Sequence, residues 1–167
     1  MNNNAIVTLA DSNYFDLLIE LISSIKSKNE SKDVSICVLD AGLTDDQKKV
    51  IKPKVYSIKK ANWDIDVPGY KVLKKEWLKS QVSRAFLPNY FPEFKKYLWI
   101  DCDAWVHSWF AIDLYFRACN DGKLGITQSI GPGYRIMSKV KWLLGKVAII
   151  KSQNYKHAKA SGIEDNI

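Results

Sequence analysis

The sequence predicts an α/β fold, a mainly parallel β-sheet flanked by helices. Short apolar runs rich in β-branched residues alternate along the chain with segments whose apolar residues repeat at helical spacing. Repeated strand-helix-strand units are typical of a parallel sheet with helices on both faces. Ligands of such sheets bind at the carboxyl ends of the strands, so the residues directly after each strand are the first candidates for function.

The first strand, the first helix and the second strand follow in order. Residues 5–10 (AIVTLA) form an apolar run suited to a buried strand. Residues 33–40 (DVSICVLD) predict a second buried strand, after which Gly42 marks a turn. The segment between the two strands predicts a helix, because its apolar residues fall on one face: Leu17, Leu18, Leu21, Ile22 and Ile25.

A second helix is predicted to begin at Thr44, which forms with Gln47 the Thr-x-x-Gln pattern of a capping box. A third strand is predicted over residues 54–58 (KVYSI). Turn residues over 61–71 indicate irregular structure after it.

The rest of the chain continues the alternation. A helix is predicted from about Lys75 to Phe86, ended by Pro88, because proline lacks the N–H that a helix interior needs. Two more strands are predicted over residues 96–100 (KYLWI) and 123–128 (KLGITQ). Between them a helix is predicted over residues 109–122, ended by Gly122.

The composition indicates a soluble globular protein of one domain. The 167 residues are enough to bury a core, and 47% of them are hydrophobic. No apolar run reaches the ~20 residues of a membrane-spanning helix, and the N-terminus lacks the pattern of a secretory signal. Three cysteines without paired spacing argue against a disulfide framework or a zinc site. We therefore expect a cytoplasmic protein.

The formal net charge of +7 comes mainly from lysines spread along the chain. Nucleic-acid-binding proteins usually concentrate arginine and aromatic residues on one element, so no specific nucleic-acid partner is expected. The lysines are typical of a solvated surface. The other interpretation is loose attraction to a polyanion or to an anionic membrane at its inner face.

Two carboxylates, Asp101 and Asp103, come directly after the strand at 96–100. On an extended chain the side chains at these positions would point the same way, ~6.6 Å apart along the strand, with Cys102 turned back towards the core. Two like charges this close are tolerated if a hard divalent cation neutralises them, and Mg²⁺ or Mn²⁺ prefers oxygen ligands. Such an ion could stabilise a departing diphosphate. The alternative is a solvated loop in which one aspartate caps the next helix.

Three carboxylate-metal chemistries begin at an Asp-x-Asp motif. Haloacid-dehalogenase-like phosphatases place it at their first strand and usually follow it with Thr or Val, where this chain has Trp105. Nucleotidyltransferases place a Gly-Ser element before the carboxylates, and none precedes them here. Nucleotide-sugar transferases remain.

Four segments of the chain, in this order, resemble a known family. They are AIVTLADSNYFDLLIELISSI, ICVLDAGLTDDQKKVI, SRAFLPNYFPEFKKYLWIDCDAWV and KLGITQ. Together they are similar to the N-terminal, donor-binding half of the type A glycosyltransferase fold, closest to family 8 of the retaining enzymes. The resemblance spans residues 5 to about 128 and implies the nucleotide-diphospho-sugar transferase form of the predicted α/β fold.

The resemblance implies a nucleoside site after the first strand. Ala10 and Asp11 match the strand end where the family reads uracil by hydrogen bonds. Asn13 and Tyr14 match the loop that holds the nucleoside, with the Tyr14 ring placed to stack on uracil. The alternative for Tyr14 is an ordinary aromatic at a helix start. Arg84 matches an arginine near the donor sugar and phosphates, and its alternative is a surface ion pair.

The resemblance also implies that Asp101 and Asp103 hold the metal, with Asp101 and Cys102 in the donor-binding set. Family 8 proteins continue with an Asn-Ala-Gly strand and a His-x-x-Gly-x-x-Lys motif whose histidine completes the metal site, and neither occurs here. His107 fits a structural or surface role better, and His157 lacks the accompanying Gly and Lys. No catalytic residue is singled out.

The implied function is metal-dependent transfer of a hexosyl group from a UDP-sugar, with retention, to a carbohydrate, lipid-linked sugar or protein acceptor. The implied cofactor is Mn²⁺ or Mg²⁺. Residues 1–167 are expected to form a single nucleotide-sugar-binding domain truncated before the acceptor half, and so to bind UDP weakly without transfer. Two other functions stay open: a non-catalytic nucleotide-sugar-binding module, and a lysine-rich polyanion-binding protein.

Overall fold

A computed structural model describes residues 3–66, 75–119 and 124–125 of the chain. These residues all belong to one compact unit, Met1–Gly125. The strands are β1 (Asn4–Ala10), β2 (Ser35–Asp40), β3 (Ser57–Lys60) and β4 (Lys96–Trp99). The helices are α1 (Phe15–Lys26), α2 (Asp45–Ile51), α3 (Lys79–Ser83), α4 (Leu87–Tyr90) and α5 (Trp109–Ala118). Short 3₁₀ turns lie at Ser12–Tyr14, Asn29–Asp33, Lys52–Lys54, Glu76–Leu78 and Arg84–Phe86.

The described strands form one parallel sheet in the order β3-β2-β1-β4, which confirms the predicted fold class. Strand β1 pairs with β2 from Ala5 opposite Ser35 to Ala10 opposite Asp40, and with β4 as far as Val7 opposite Trp99. All the carboxyl ends therefore reach the same edge of the sheet. This strand-end edge is where the candidate residues lie.

Both faces of the sheet are covered, which is why β1 and β2 are apolar apart from Thr8 and the polar residues at their ends. On one face Ile6 and Val38 belong to a buried cluster with residues of α1 and α5. On the other face Val7 and Leu39 belong to a second buried cluster with α4 and Phe91. Because the sheet is packed on both faces, the positions and directions of its strand ends are fixed.

Helix α1 packs through four of the five apolar residues predicted to face the core: Leu18, Leu21, Ile22 and Ile25. The placement of Leu17 was wrong, since its side chain is 38% exposed. At about 100° per residue it lies about 90° from the centre of the buried stripe. Ser24 is buried instead, and its hydroxyl accepts a hydrogen bond from the Val106 N–H at 3.0 Å.

The predicted capping box of α2 is confirmed, because Gln47 N–H donates to Thr44 Oγ1 and Thr44 N–H donates to Gln47 Oε1. The third strand begins later than predicted, at Ser57, because Lys52–Lys54 forms a 3₁₀ turn around Pro53. Residues 61–66 are irregular, as predicted.

The helix predicted from Lys75 to Phe86 is a series of short α and 3₁₀ segments. Pro88 does not end it, because Pro88 lies in the first turn of α4, where no backbone N–H is required. Helix α5 ends at Ala118, and Gly122 and the strand predicted over 123–128 lie outside the described residues, apart from 124–125, which are irregular. None of the described helices is long and apolar enough to cross a membrane.

Candidate functional site

Three loops meet at the strand-end edge. They follow β1 (Asp11–Tyr14), β2 (residues 41–44) and β4 (residues 100–108). Each loop contains candidate residues or holds a neighbouring loop in place. The sheet therefore brings together sequence positions as far apart as 11 and 103.

The loop after β1 is shaped by Asp11. Its Oδ1 accepts hydrogen bonds from the N–H groups of Asn13 (2.9 Å) and Tyr14 (3.2 Å), which caps the 3₁₀ turn. Among the described residues its Oδ2 has no donor, so this oxygen is available to a ligand. The Tyr14 side chain is 46% exposed, whereas Ala10 is buried and can offer only its backbone.

The turn after β2 holds this loop from the side. Asp40 Oδ1 accepts from the N–H groups of Gly42 (2.8 Å) and Leu43 (2.6 Å). The Gly42 carbonyl accepts from Ser12 N–H (3.2 Å), and Gln47 Nε2 donates to the Ser12 carbonyl (3.2 Å). The sequence identified Gln47 only as a capping residue and gave Asp40 no role. Both help to hold the loop in which Asp11 and Tyr14 lie.

The acidic motif is a turn and not an extended strand, which corrects the expectation that Asp101 and Asp103 extend β4. Strand β4 ends at Trp99, the Ile100 N–H still donates to the Val7 carbonyl (3.0 Å), and the Ala104 N–H then donates to the Asp101 carbonyl (3.0 Å). Asp101 and Asp103 are exposed. Cys102 is half-buried against the core, as predicted.

Arg84 and Asp101 are in contact. Arg84 Nη2 donates to Asp101 Oδ1 at 2.7 Å, and Arg84 Nε donates to the Ser80 carbonyl at 3.0 Å. Trp99 completes the group, since its Nε1–H donates to the same Asp101 oxygen at 2.8 Å and its ring lies 5.1 Å from the Arg84 guanidinium carbon. The sequence gave Trp99 no role, and no local pattern signals this contact, because the chain turns directly after β4.

The surroundings of Cys102 favour its neutral thiol. Burial, together with the negative charges of Asp103, Asp101 and Asp11, raises the pKa of the Cys102 thiol to about 11. The thiol therefore stays protonated near neutral pH. Negative charge gathered at one edge favours a bound cation.

The two aspartates fit part of a divalent-cation site. Asp101 has both donors on Oδ1, and neither its Oδ2 nor the Asp103 carboxylate has a hydrogen-bonding partner among the residues that the structure describes. Carboxylate oxygens are the ligands that Mg²⁺ and Mn²⁺ prefer. Within the same described ranges no group of three or more His, Cys, Asp or Glu residues is placed to hold an ion, and His107 is exposed. The aspartates would thus be two ligands of a set completed by other groups.

The sequence model described as glycosyl transferase family 8 matches residues 5–121 of the chain. The match includes all three strand-end loops, with every candidate residue at that edge. No curated protein sequence matches the chain.

Proposed function

The chain belongs to glycosyl transferase family 8, and we propose that it transfers a sugar from a UDP-sugar to an acceptor with retention, assisted by Mn²⁺ or Mg²⁺. Membership of the family gives the activity class, with a sugar donor and an acceptor as partners. The nucleotide, the metal and the stereochemistry are the proposal. One observation carries it: Arg84 and Trp99 both donate to Oδ1 of Asp101, while the other oxygen of Asp101 and the carboxylate of Asp103 have no hydrogen-bonding partner among the described residues.

In this proposal Asp101 and Asp103 hold the cation through the oxygens that have no donor among the described residues. When bound, a divalent cation supplies positive charge that stabilises a departing diphosphate. Arg84 is 38% exposed beside Asp101, so its remaining N–H groups can donate to phosphate oxygens of the donor.

The nucleoside is assigned to the loop after β1. The exposed Tyr14 ring can stack on a base, and Asp11 Oδ2 can accept a hydrogen bond from the N–H of uracil. Ala10 contributes its backbone, and the exposed Asn13 lies between Asp11 and Tyr14 in the sequence. We propose residues 1–167 as a nucleotide-sugar-binding domain, with this edge as the donor site.

The test is donor turnover by the purified chain. UDP-glucose, UDP-galactose and their N-acetyl forms are incubated with Mn²⁺ or with EDTA, and released UDP and the anomer of the sugar product are followed by NMR. Mn²⁺-dependent release from at least one UDP-sugar, but not from a GDP-sugar, supports the proposal and overturns the expectation from the sequence that residues 1–167 bind UDP without transfer. UDP binding without release on addition of any acceptor would favour a non-catalytic nucleotide-sugar-binding module.

We also propose a loose contact with an anionic surface, made by residues outside the strand-end loops. Lys26, Lys28 and Lys54 are among the residues that line a cavity of about 450 Å³, whose lining includes no acidic residue. Tyr56, also in the lining, is 60% exposed. Binding to vesicles with anionic lipid that falls with salt, and that K28E/K54E weakens more than K75E/K95E, supports a membrane contact. Binding to heparin but not to vesicles would favour a polyanion.

A further inference from the structure

Trp99 lies where the sheet meets the proposed donor site. It is the last residue of β4, its backbone is paired with β1 opposite Val7, and its side chain packs beside the buried cluster that includes Phe91. The sheet and the helical segments packed on that face therefore hold the Trp99 side chain in place. Its free edge and ring face are directed at two charged groups.

Those groups are Asp101 and Arg84, and Trp99 contacts each in a different way. The indole N–H donates to Asp101 Oδ1 at 2.8 Å, and the face of the ring lies 5.1 Å from the guanidinium carbon of Arg84. Arg84 donates to the same Asp101 oxygen at 2.7 Å. One carboxylate oxygen thus receives two donors, while the other receives none from the described residues.

This contact differs from the bidentate one that a guanidinium frequently makes with both oxygens of a carboxylate. Here Arg84 uses Nη2 alone, since its Nε is bonded to the Ser80 carbonyl at 3.0 Å and its face is held against the indole. A two-oxygen contact would cover the whole Asp101 carboxylate and compete with a cation. The hydrogen bond of Trp99 to Asp101 Oδ1 and its ring contact with Arg84 favour the one-oxygen arrangement instead.

We propose that Trp99 is a positioning residue that keeps one oxygen of Asp101 available to a cation by fixing the other oxygen and the guanidinium of Arg84. The inference rests on the proposed function, because it assigns Asp101 to a cation. It adds a residue that the Asp-x-Asp motif does not contain. It also assigns two separable parts of one side chain, the N–H and the ring, to Asp101 and to Arg84.

The experiment compares Trp99→Phe, which removes the N–H and keeps an aromatic ring, with Trp105→Phe. Trp105 is 62% exposed in the same stretch of chain and is the matched control. Calorimetry gives the affinity for UDP with Mn²⁺ and with EDTA, and urea unfolding reports on the fold. We expect Trp99→Phe to lower the Mn²⁺-dependent affinity about tenfold, as loss of one hydrogen bond to a charged group would. Affinity in EDTA should stay within twofold, and Trp105→Phe should match the wild type in both.

Equal Mn²⁺–UDP affinity in Trp99→Phe and wild type would overturn the proposal. So would parallel losses of affinity with Mn²⁺, of affinity with EDTA and of stability, because those indicate a packing role alone. If the wild type itself bound UDP without any Mn²⁺ dependence, the proposed function would fail first, and the wild-type measurement alone would identify that outcome. A second measurement needs no ligand: the NMR resonance of the Trp99 indole N–H should shift in Asp101→Ala and not in Asp103→Ala.

Discussion

Substituting Arg84 by Ala separates the two interpretations of this residue, a surface ion pair and a ligand for the donor diphosphate. The ion pair with Asp101 is exposed, with side chains 38% and 57% accessible, so it should contribute about 0.2–1 kcal/mol. The hydrogen bond to the Ser80 carbonyl and the contact with the Trp99 ring each add about 0.5–1 kcal/mol. The free energy of unfolding should therefore fall by about 1–3 kcal/mol, which the fold tolerates.

The effect on the donor should be larger. Hydrogen bonds from a guanidinium to phosphate oxygens typically contribute about 1.5–3 kcal/mol, so the affinity for UDP should fall about 10- to 100-fold. Uridine lacks phosphates, and its affinity should hardly change. Isothermal calorimetry with UDP and uridine, beside urea unfolding of the same preparations, measures both effects.

Arg117→Ala is the matched control. Arg117 pairs with Asp113 at 2.7 Å, the same distance as the Arg84 pair, but on the exposed surface of α5. Its loss should cost about 0.5 kcal/mol of stability and leave both affinities unchanged. If Arg84→Ala binds UDP as tightly as Arg117→Ala does, Arg84 is only a surface ion pair and not a ligand for the diphosphate.

Tyr14→Ala should weaken uridine binding by about 1–3 kcal/mol through loss of stacking, measured by calorimetry, while Tyr56→Ala, which removes another exposed tyrosine, should not. Gly42→Ala should cost about 1–3 kcal/mol in urea unfolding, because φ is +136° and a new Cβ meets only ordinary contact with Asp11 Cβ at 3.8 Å; an unchanged midpoint would contradict the assigned backbone conformation. Burial and the charge of Glu93 raise the pKa of Cys37 from 9.0 to about 12. As the pH rises from 9 to 12, the unfolded state therefore loses this proton while the folded state keeps it, and the folded state becomes less stable. When the pH rises from 8 to 10, the free energy of unfolding of Cys37→Ala should therefore fall by about 1 kcal/mol less than that of Val38→Ala, which keeps the thiol. Equal falls in the two variants would argue against the raised pKa of Cys37.

Local patterns predicted the parts of this molecule whose contacts are local. The capping box of Thr44 and Gln47 depends on two residues in one turn, and the structure has it as predicted. The apolar runs of β1 and β2 predicted strands because both faces of the sheet are covered. The gathering of candidates at the strand ends follows from parallel pairing alone.

The rest depended on contacts between distant segments. Arg84 donates a hydrogen bond to Asp101, 17 positions later in the sequence. The accepting oxygen is the one to which Trp99 also donates. No spacing rule joins those three residues. Gln47 Nε2 likewise reaches Ser12, 35 positions earlier. The acidic motif was expected to be extended, but the chain turns when the Ala104 N–H bonds back to the Asp101 carbonyl.

The most direct test of a cation-assisted donor site is the effect of Mn²⁺ on UDP affinity in Asp103→Asn. Asp103 makes no hydrogen bond or ion pair with another described residue, whereas Asp101→Asn would also disturb Arg84 and Trp99. Glu20→Gln, an exposed carboxylate on α1, controls for the change in net charge. We expect Mn²⁺ to raise the UDP affinity of the wild type and of Glu20→Gln at least tenfold over EDTA, and to have no effect on Asp103→Asn. An equal response to Mn²⁺ in Asp103→Asn and wild type would contradict the assignment of the cation to this turn.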